Sequence, residues 1–106
     1  MGINLNETDL HELHEMLSHE RLNPSEWSID NTAETADDGH RLFCMSSAGN
    51  NGKRRIIHVE LLTYETERHF MPMKVVQADD GRNYLDYSDS FTDAIYTGGD
   101  LPWLKV

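Results

Sequence analysis

At 106 residues the chain has room for one core, and residues 1–106 read as a single α+β domain. Nineteen acidic residues against nine basic ones give a formal charge of −10, which argues against any binding mode that neutralises a nucleic-acid backbone. The lone cysteine, Cys44, excludes an intramolecular disulfide and a CxxC ligand pair; with no secretory signal at Met1 to Glu7 and no long apolar window, the expected location is the cytoplasm, away from membranes.

Leu10, Leu13 and Leu17 recur at three- and four-residue steps, with Met16 widening the stripe, and this spacing predicts an amphipathic helix over Thr8 to Arg21. Asn6 is the expected N-cap, with Asp9 completing a capping box, and Glu7, Asp9 and Glu12 sit where the helix dipole favours carboxylates. Asn23-Pro24 is the expected stop, because the residue before a proline is pushed out of the α region.

From Pro24 to Gly39 there are carboxylates but no lysine or arginine, so a short strand from Trp27 to Asp30 is expected to lead into a mobile acidic loop. Leu42, Phe43, Cys44 and Met45 mark a strand over Arg41 to Ser46, buried on both faces, and Ala48 to Gly52 supplies the connection onward. The next strand, Arg55 to Tyr64, carries the clearest alternation: Ile57, Val59 and Leu61 on one side, Ile56, His58, Glu60 and Leu62 on the other.

A strand from Phe70 to Gln77 is expected to turn at Ala78-Asp79-Asp80-Gly81 and return over Arg82 to Tyr87, with Pro72 near a strand start or on an edge. Ser88 to Ser90 can cap a short helix over Phe91 to Tyr96, ended by Gly98-Gly99, with Leu101 to Leu104 packing back as an extended segment. Short connections leave no room for parallel crossovers. The expected architecture is a mostly antiparallel sheet of about five strands, with the N-terminal helix on one face and a short C-terminal helix.

No chemistry-bearing motif is complete. His11, Glu15 and His19 line up at four-residue steps, but His11-Glu12-Leu13-His14 is one residue short of the HExxH arrangement, and a solvated helix face accounts for these residues; no metal and no cofactor is expected. His58 and Glu60 form an i, i+2 pair on one strand face, and with His69 they are the polar groups of an alternative reading: a small-ligand-binding or enzymatic domain with its pocket between helix and sheet. Cys44 reads as a small strand hydrophobe, no catalytic residue is assigned, and Gly49 and Gly52 make no phosphate-cradling pattern. Lys53-Arg54-Arg55 is read as a solvated or docking patch.

The acidic residues fall in two stretches, and Glu34, Asp37, Asp38, Asp79, Asp80, Asp86, Asp89 and Asp93 are the candidates for contact with a partner. Gathered on one face, they would meet a basic protein, including one that ordinarily binds nucleic acid. Trp27, Tyr84, Tyr87 and Trp103 are candidate aromatic anchors, and a homodimer through a strand edge is compatible with either reading. In size and charge the chain resembles small phage- or mobile-element-encoded inhibitors that imitate nucleic acid, a likeness of type carried by no shared motif. It implies a non-enzymatic protein.

Overall fold

A computed structural model of the chain describes residues 5–35, 41–49 and 53–97, with the backbone alone at 30–35. Helix α1 (Glu7–His19) is followed by a 3₁₀ turn (Pro24–Glu26) and strands β1 (Ser28–Thr35), β2 (Arg41–Ser47), β3 (Arg55–Tyr64), β4 (Glu67–Gln77) and β5 (Asn83–Tyr87). A one-turn helix α2 (Phe91–Ala94) and a two-residue strand β6 (Tyr96–Thr97) complete the described chain. The strands form one antiparallel sheet in the order β1-β2-β3-β4-β5, and β6 pairs with the first residues of β3, a stretch that pairs with β2 but not with β4. This is the expected α+β arrangement. Among the described residues no helix is long and apolar enough to cross a membrane.

The start of α1 follows from its cap. Asn6 Oδ1 accepts from the Asp9 amide at 2.8 Å while Asp9 Oδ2 accepts from the Asn6 amide at 3.0 Å, closing the capping box. The end differs from expectation: the helix stops before Asn23, at a Schellman closure in which Leu22 N–H donates to Leu17 O and Arg21 N–H to Ser18 O, with Arg21 left-handed at φ 63°. Asn23 instead caps the 3₁₀ turn, its Oδ1 accepting from Ser25 N–H.

Each end of α1 is tied to another element. Buried Asp9 accepts from Arg68 Nε of β4 at 3.0 Å. At the other end the Glu20 carboxylate accepts from the amides of Phe91 and Thr92 at 2.8 and 2.9 Å, capping α2 from outside. Partial burial raises the Glu20 pKa, but the amide bonds outweigh it and hold the group below the ordinary glutamate value.

Directly opposed residues of antiparallel strands share a face, so the register divides the sheet cleanly. Ile57 opposes Met45, Val59 opposes both Phe43 and Pro72, and Leu61 opposes Phe70. These residues, apart from Pro72, form the core with Leu13 and Leu17 of α1, Trp27, and Phe91 and Ala94 of α2. Phe43 and Phe70 meet edge to face at 6.0 Å. The other face carries Leu42, Cys44, Ile56, His58, Glu60, Leu62, Met71 and Met73.

Four boundaries depart from expectation. β1 runs on to Thr35 with an irregular register between Asp30 and Glu34, because pairing with β2 carries a segment that has no apolar pattern of its own. β4 starts at Glu67, since the Glu65-Thr66 turn brings Glu67 opposite Tyr64. α2 stops at Ala94 and the chain enters β6 at Tyr96. Pro72 lies inside β4, between β3 and β5, neither at a strand start nor on an edge strand. Its carbonyl accepts from Ser88 N–H, so its missing N–H would have pointed the same way, and the β4–β5 ladder ends there without loss to β3. Gly98-Gly99 and the segment Leu101 to Leu104 lie outside the described residues.

Candidate functional site

Burial marks the face of the sheet turned away from α1. His58 and Glu60 are both 0 % exposed, although alternation along β3 sets them opposite the helix-covered face. This corrects the expectation of a pocket between helix and sheet: Ile57, Val59 and Leu61 occupy that space, and a two-residue period sends His58 and Glu60 the other way. His69 shares their face but not their surroundings. It is exposed, about 13 Å farther along the strand direction than His58, pairs with Glu67 Oε2 at 3.2 Å and meets Tyr64 edge to face at 5.7 Å.

The register places His58 in a row that crosses five strands: Asp30, Cys44, His58, Met73 and Tyr87 stand opposite one another in turn. The next row sets Leu42, Glu60 and Met71 side by side. Tyr87 O–H donates to Glu60 Oε1 at 2.5 Å, so a tyrosine from β5 reaches across β4 to a carboxylate on β3. Neither ring nitrogen of His58 has a hydrogen-bond partner among the described residues. Burial without a partner disfavours the imidazolium and lowers the His58 pKa from 6.5 to about 4, so the ring is neutral near pH 7.

Sequence reasoning paired His58 with Glu60 but missed Cys44, Met71, Met73 and Tyr87 as their neighbours. Only the strand register brings them together, and spacing along the chain does not reveal it. Among the described residues no three His, Cys, Asp or Glu side chains are placed to hold a metal ion. The helix histidines behave as a solvated face, with His11 Nε2 and Glu15 Oε1 3.0 Å apart and both side chains exposed.

The acidic candidates do not share one edge. Glu34 lies on β1, whereas Asp86 lies on β5, Asp79, Asp80 and Asp89 in the segments flanking it, and Asp93 on α2; β1 and β5 are opposite ends of the strand order. That separation amounts to roughly 19 Å across the sheet. Asp37 and Asp38 lie outside the described residues. Of the β5 group, Asp80 is held by Arg82 at 2.8 Å and Asp86 stands opposite Lys74, whereas Asp79, Asp89 and Asp93 are exposed and form no ion pair among the described residues.

The aromatic candidates divide in the same way. Trp27 is core, with the Arg55 guanidinium 5.1 Å above its ring and Arg55 Nη2 donating to Ser47 Oγ, so one cation of the basic cluster is structural. Tyr84 and Tyr87 are 48 % and 46 % exposed. Trp103 lies outside the described residues. A shallow depression of about 450 Å³ near Arg54, lined by Glu26, Ser28, Ser46 and Ser47 among others, offers hydroxyls with one charge of each sign. Comparison of the chain with protein-family models, with curated proteins and with solved structures gave no match.

Proposed function

We propose that the protein is a non-enzymatic binding module that engages a basic protein segment along the β5 edge. The observation that carries this reading is the composition of that edge. β5 ends the strand order, pairs only with β4 among the described residues, and carries Tyr84 and Tyr87 on its two faces, with exposed Asp79 in the turn before it and exposed Asp89 and Asp93 in the segments after it.

An edge strand offers a row of N–H and C=O groups to an incoming extended chain, which supplies affinity without side-chain specificity. Carboxylates lacking internal counterions then select lysine- or arginine-rich sequence, and two tyrosines supply contact area at low entropic cost. The earlier picture of one continuous acidic face is narrowed, since Glu34 sits on the far edge. Within this reading the finer partner class is a protein whose cationic groove ordinarily holds nucleic acid, occupied here by carboxylates.

The test is binding of the full chain to purified lysine- and arginine-rich segments and to a nucleic-acid-binding protein, measured by calorimetry across a salt series. Affinity is expected to weaken with salt, because exposed charges are screened over roughly 8–10 Å at physiological ionic strength. It is also expected to fall in the D79N/D89N/D93N variant and in Tyr84→Ala. Salt-insensitive binding, or binding untouched by the triple variant, overturns the assignment.

A further inference from the structure

We propose that the segment bound at the β5 edge is an extended strand of alternating cationic and apolar residues, its apolar residues pairing backbone to backbone with Asn83, Leu85 and Tyr87. This deepens the reading above and rests on it.

The frame comes from the hydrogen bonds that join β5 to β4. In an antiparallel ladder, opposed residues alternate between pairs that exchange bonds and pairs whose N–H and C=O groups point away from each other. At one end Ser88 N–H donates to Pro72 O at 2.9 Å, and at the other Ala78 N–H donates to Arg82 O at 2.7 Å. Counting inward from either bond in steps of two selects the same bonded pairs, Lys74 with Asp86 and Val76 with Tyr84. Asn83, Leu85 and Tyr87 therefore turn their backbone groups to the open side of the sheet. A third bond agrees: Tyr87 N–H donates outside the ladder, to Asp86 Oδ1 at 2.9 Å.

The same count sorts the side chains. Asn83, Leu85 and Tyr87 share the face of Met73 and Val75, which is the face of His58. Met73 is buried there and the opposed Val75 and Leu85 are half-buried, so an apolar strip reaches the edge. Tyr84 and Asp86 stand exposed on the other face, with Lys74 opposite Asp86 on the β4 side.

A strand added antiparallel at this edge continues both patterns. Its residues opposed to Asn83, Leu85 and Tyr87 exchange backbone bonds and extend the apolar strip, while those opposed to Tyr84 and Asp86 fall on the charged face. Lysine or arginine there meets the Asp86 carboxylate across the strand and lies beside the Tyr84 ring, pairings that favour a cation. Exposed Asp79 before β5 and Asp89 after it draw cations to the two ends of the same segment. A basic helix keeps its own amides bonded and cannot meet the outward groups of β5. Alternation, added to charge, defines the partner.

The test is a titration of the full chain, followed by fluorescence anisotropy, with labelled heptapeptides of one composition: alternating Lys-Val-Lys-Val-Lys-Val-Lys, and a block of lysines followed by valines. The alternating peptide is expected to bind about tenfold tighter or more, because it alone fits both faces. Backbone N-methylation of its valines, whose amides face β5, is expected to abolish that advantage, and N-methylation of its lysines to preserve it. Leu85→Pro removes the central outward N–H and no bond to β4. Circular dichroism should show its fold kept while the alternating peptide binds about tenfold more weakly. The paired N-methylated peptides test the frame on the unsubstituted chain whether or not that variant folds. Equal binding of alternating and block peptides, equal effects of the two N-methylations, or full binding by folded Leu85→Pro overturns the frame and leaves the acidic edge standing. Failure of both peptides to bind overturns the edge reading as well.

Discussion

The two faces of the sheet are buried by different means. Toward α1, Phe43, Met45, Ile57, Val59, Leu61 and Phe70 meet Leu13, Leu17, Phe91 and Ala94 in a wholly apolar layer. Toward the other side, equally buried positions hold an imidazole, opposite Cys44 and Met73, and a carboxylate, opposite Leu42 and Met71, that accepts from a tyrosine hydroxyl across β4. The first face gains roughly 1.5–3 kcal/mol for each large side chain taken from water. The second gives part of its gain back, because desolvated polar groups need partners and His58 has none among the described residues. The contrast teaches that burial alone does not identify a core: one face stabilises the fold, and the other keeps polar chemistry at some expense to stability.

Truncation on the helix-covered face should have the largest effect. Leu17→Ala is expected to lower unfolding free energy by about 2–5 kcal/mol in urea, since Leu17 is fully buried. His58→Leu, an equally buried site on the other face, is expected to be neutral or stabilising, because an apolar group removes the unsatisfied nitrogens. A loss like that of Leu17→Ala would erase the distinction between the faces.

Acid sharpens the same comparison. The folded-state pKa of His58 lies near 4 and its ordinary value is 6.5, so the unfolded chain binds the proton first. Stability from this group is complete above pH 6.5, is lost as pH falls toward 4, and levels below that. A drop of that size corresponds to about 3 kcal/mol. Urea unfolding at stepped pH should show this loss as the difference between wild type and His58→Leu, which share their carboxylates.

Tyr87→Phe should cost on the order of 2 kcal/mol, as the buried Glu60 carboxyl loses the tyrosine hydrogen bond. The smallest effect belongs to the helix end. Arg21→Gly is expected to raise stability by about 1 kcal/mol, read as a higher thermal midpoint, because a left-handed φ of 63° suits glycine better than arginine.

The helix-covered face was the legible one. The Asn6–Asp9 box and the alternation of Ile57, Val59 and Leu61 are local patterns that appear in the structure as read, and of the leucine stripe Leu13 and Leu17 enter the core while Leu10 is half-buried outside it. What escaped notice depends on pairing. The extension of β1 through Asn31 to Thr35 has no pattern until β2 lies beside it. The β3–β4 hairpin turns at Glu65 with φ 53°, where no glycine or asparagine announces a turn. For the candidate site, the His58–Glu60 pair was visible as an i, i+2 repeat, but its side of the sheet was assigned wrongly because alternation fixes relative orientation and not which face the helix covers. The row from Cys44 to Met73 spans three strands and exists only in the register.

Everything distinctive about the second face rests on an imidazole sealed from water with no hydrogen-bond partner among the described residues. A proton NMR titration of His58 in the folded protein, assigned by comparison with His58→Leu, tests this most directly. The ring signals should hold their neutral positions down through pH 5 and move only around pH 4. A midpoint at or above 6.5, like that of an imidazole in open solvent, would contradict the account.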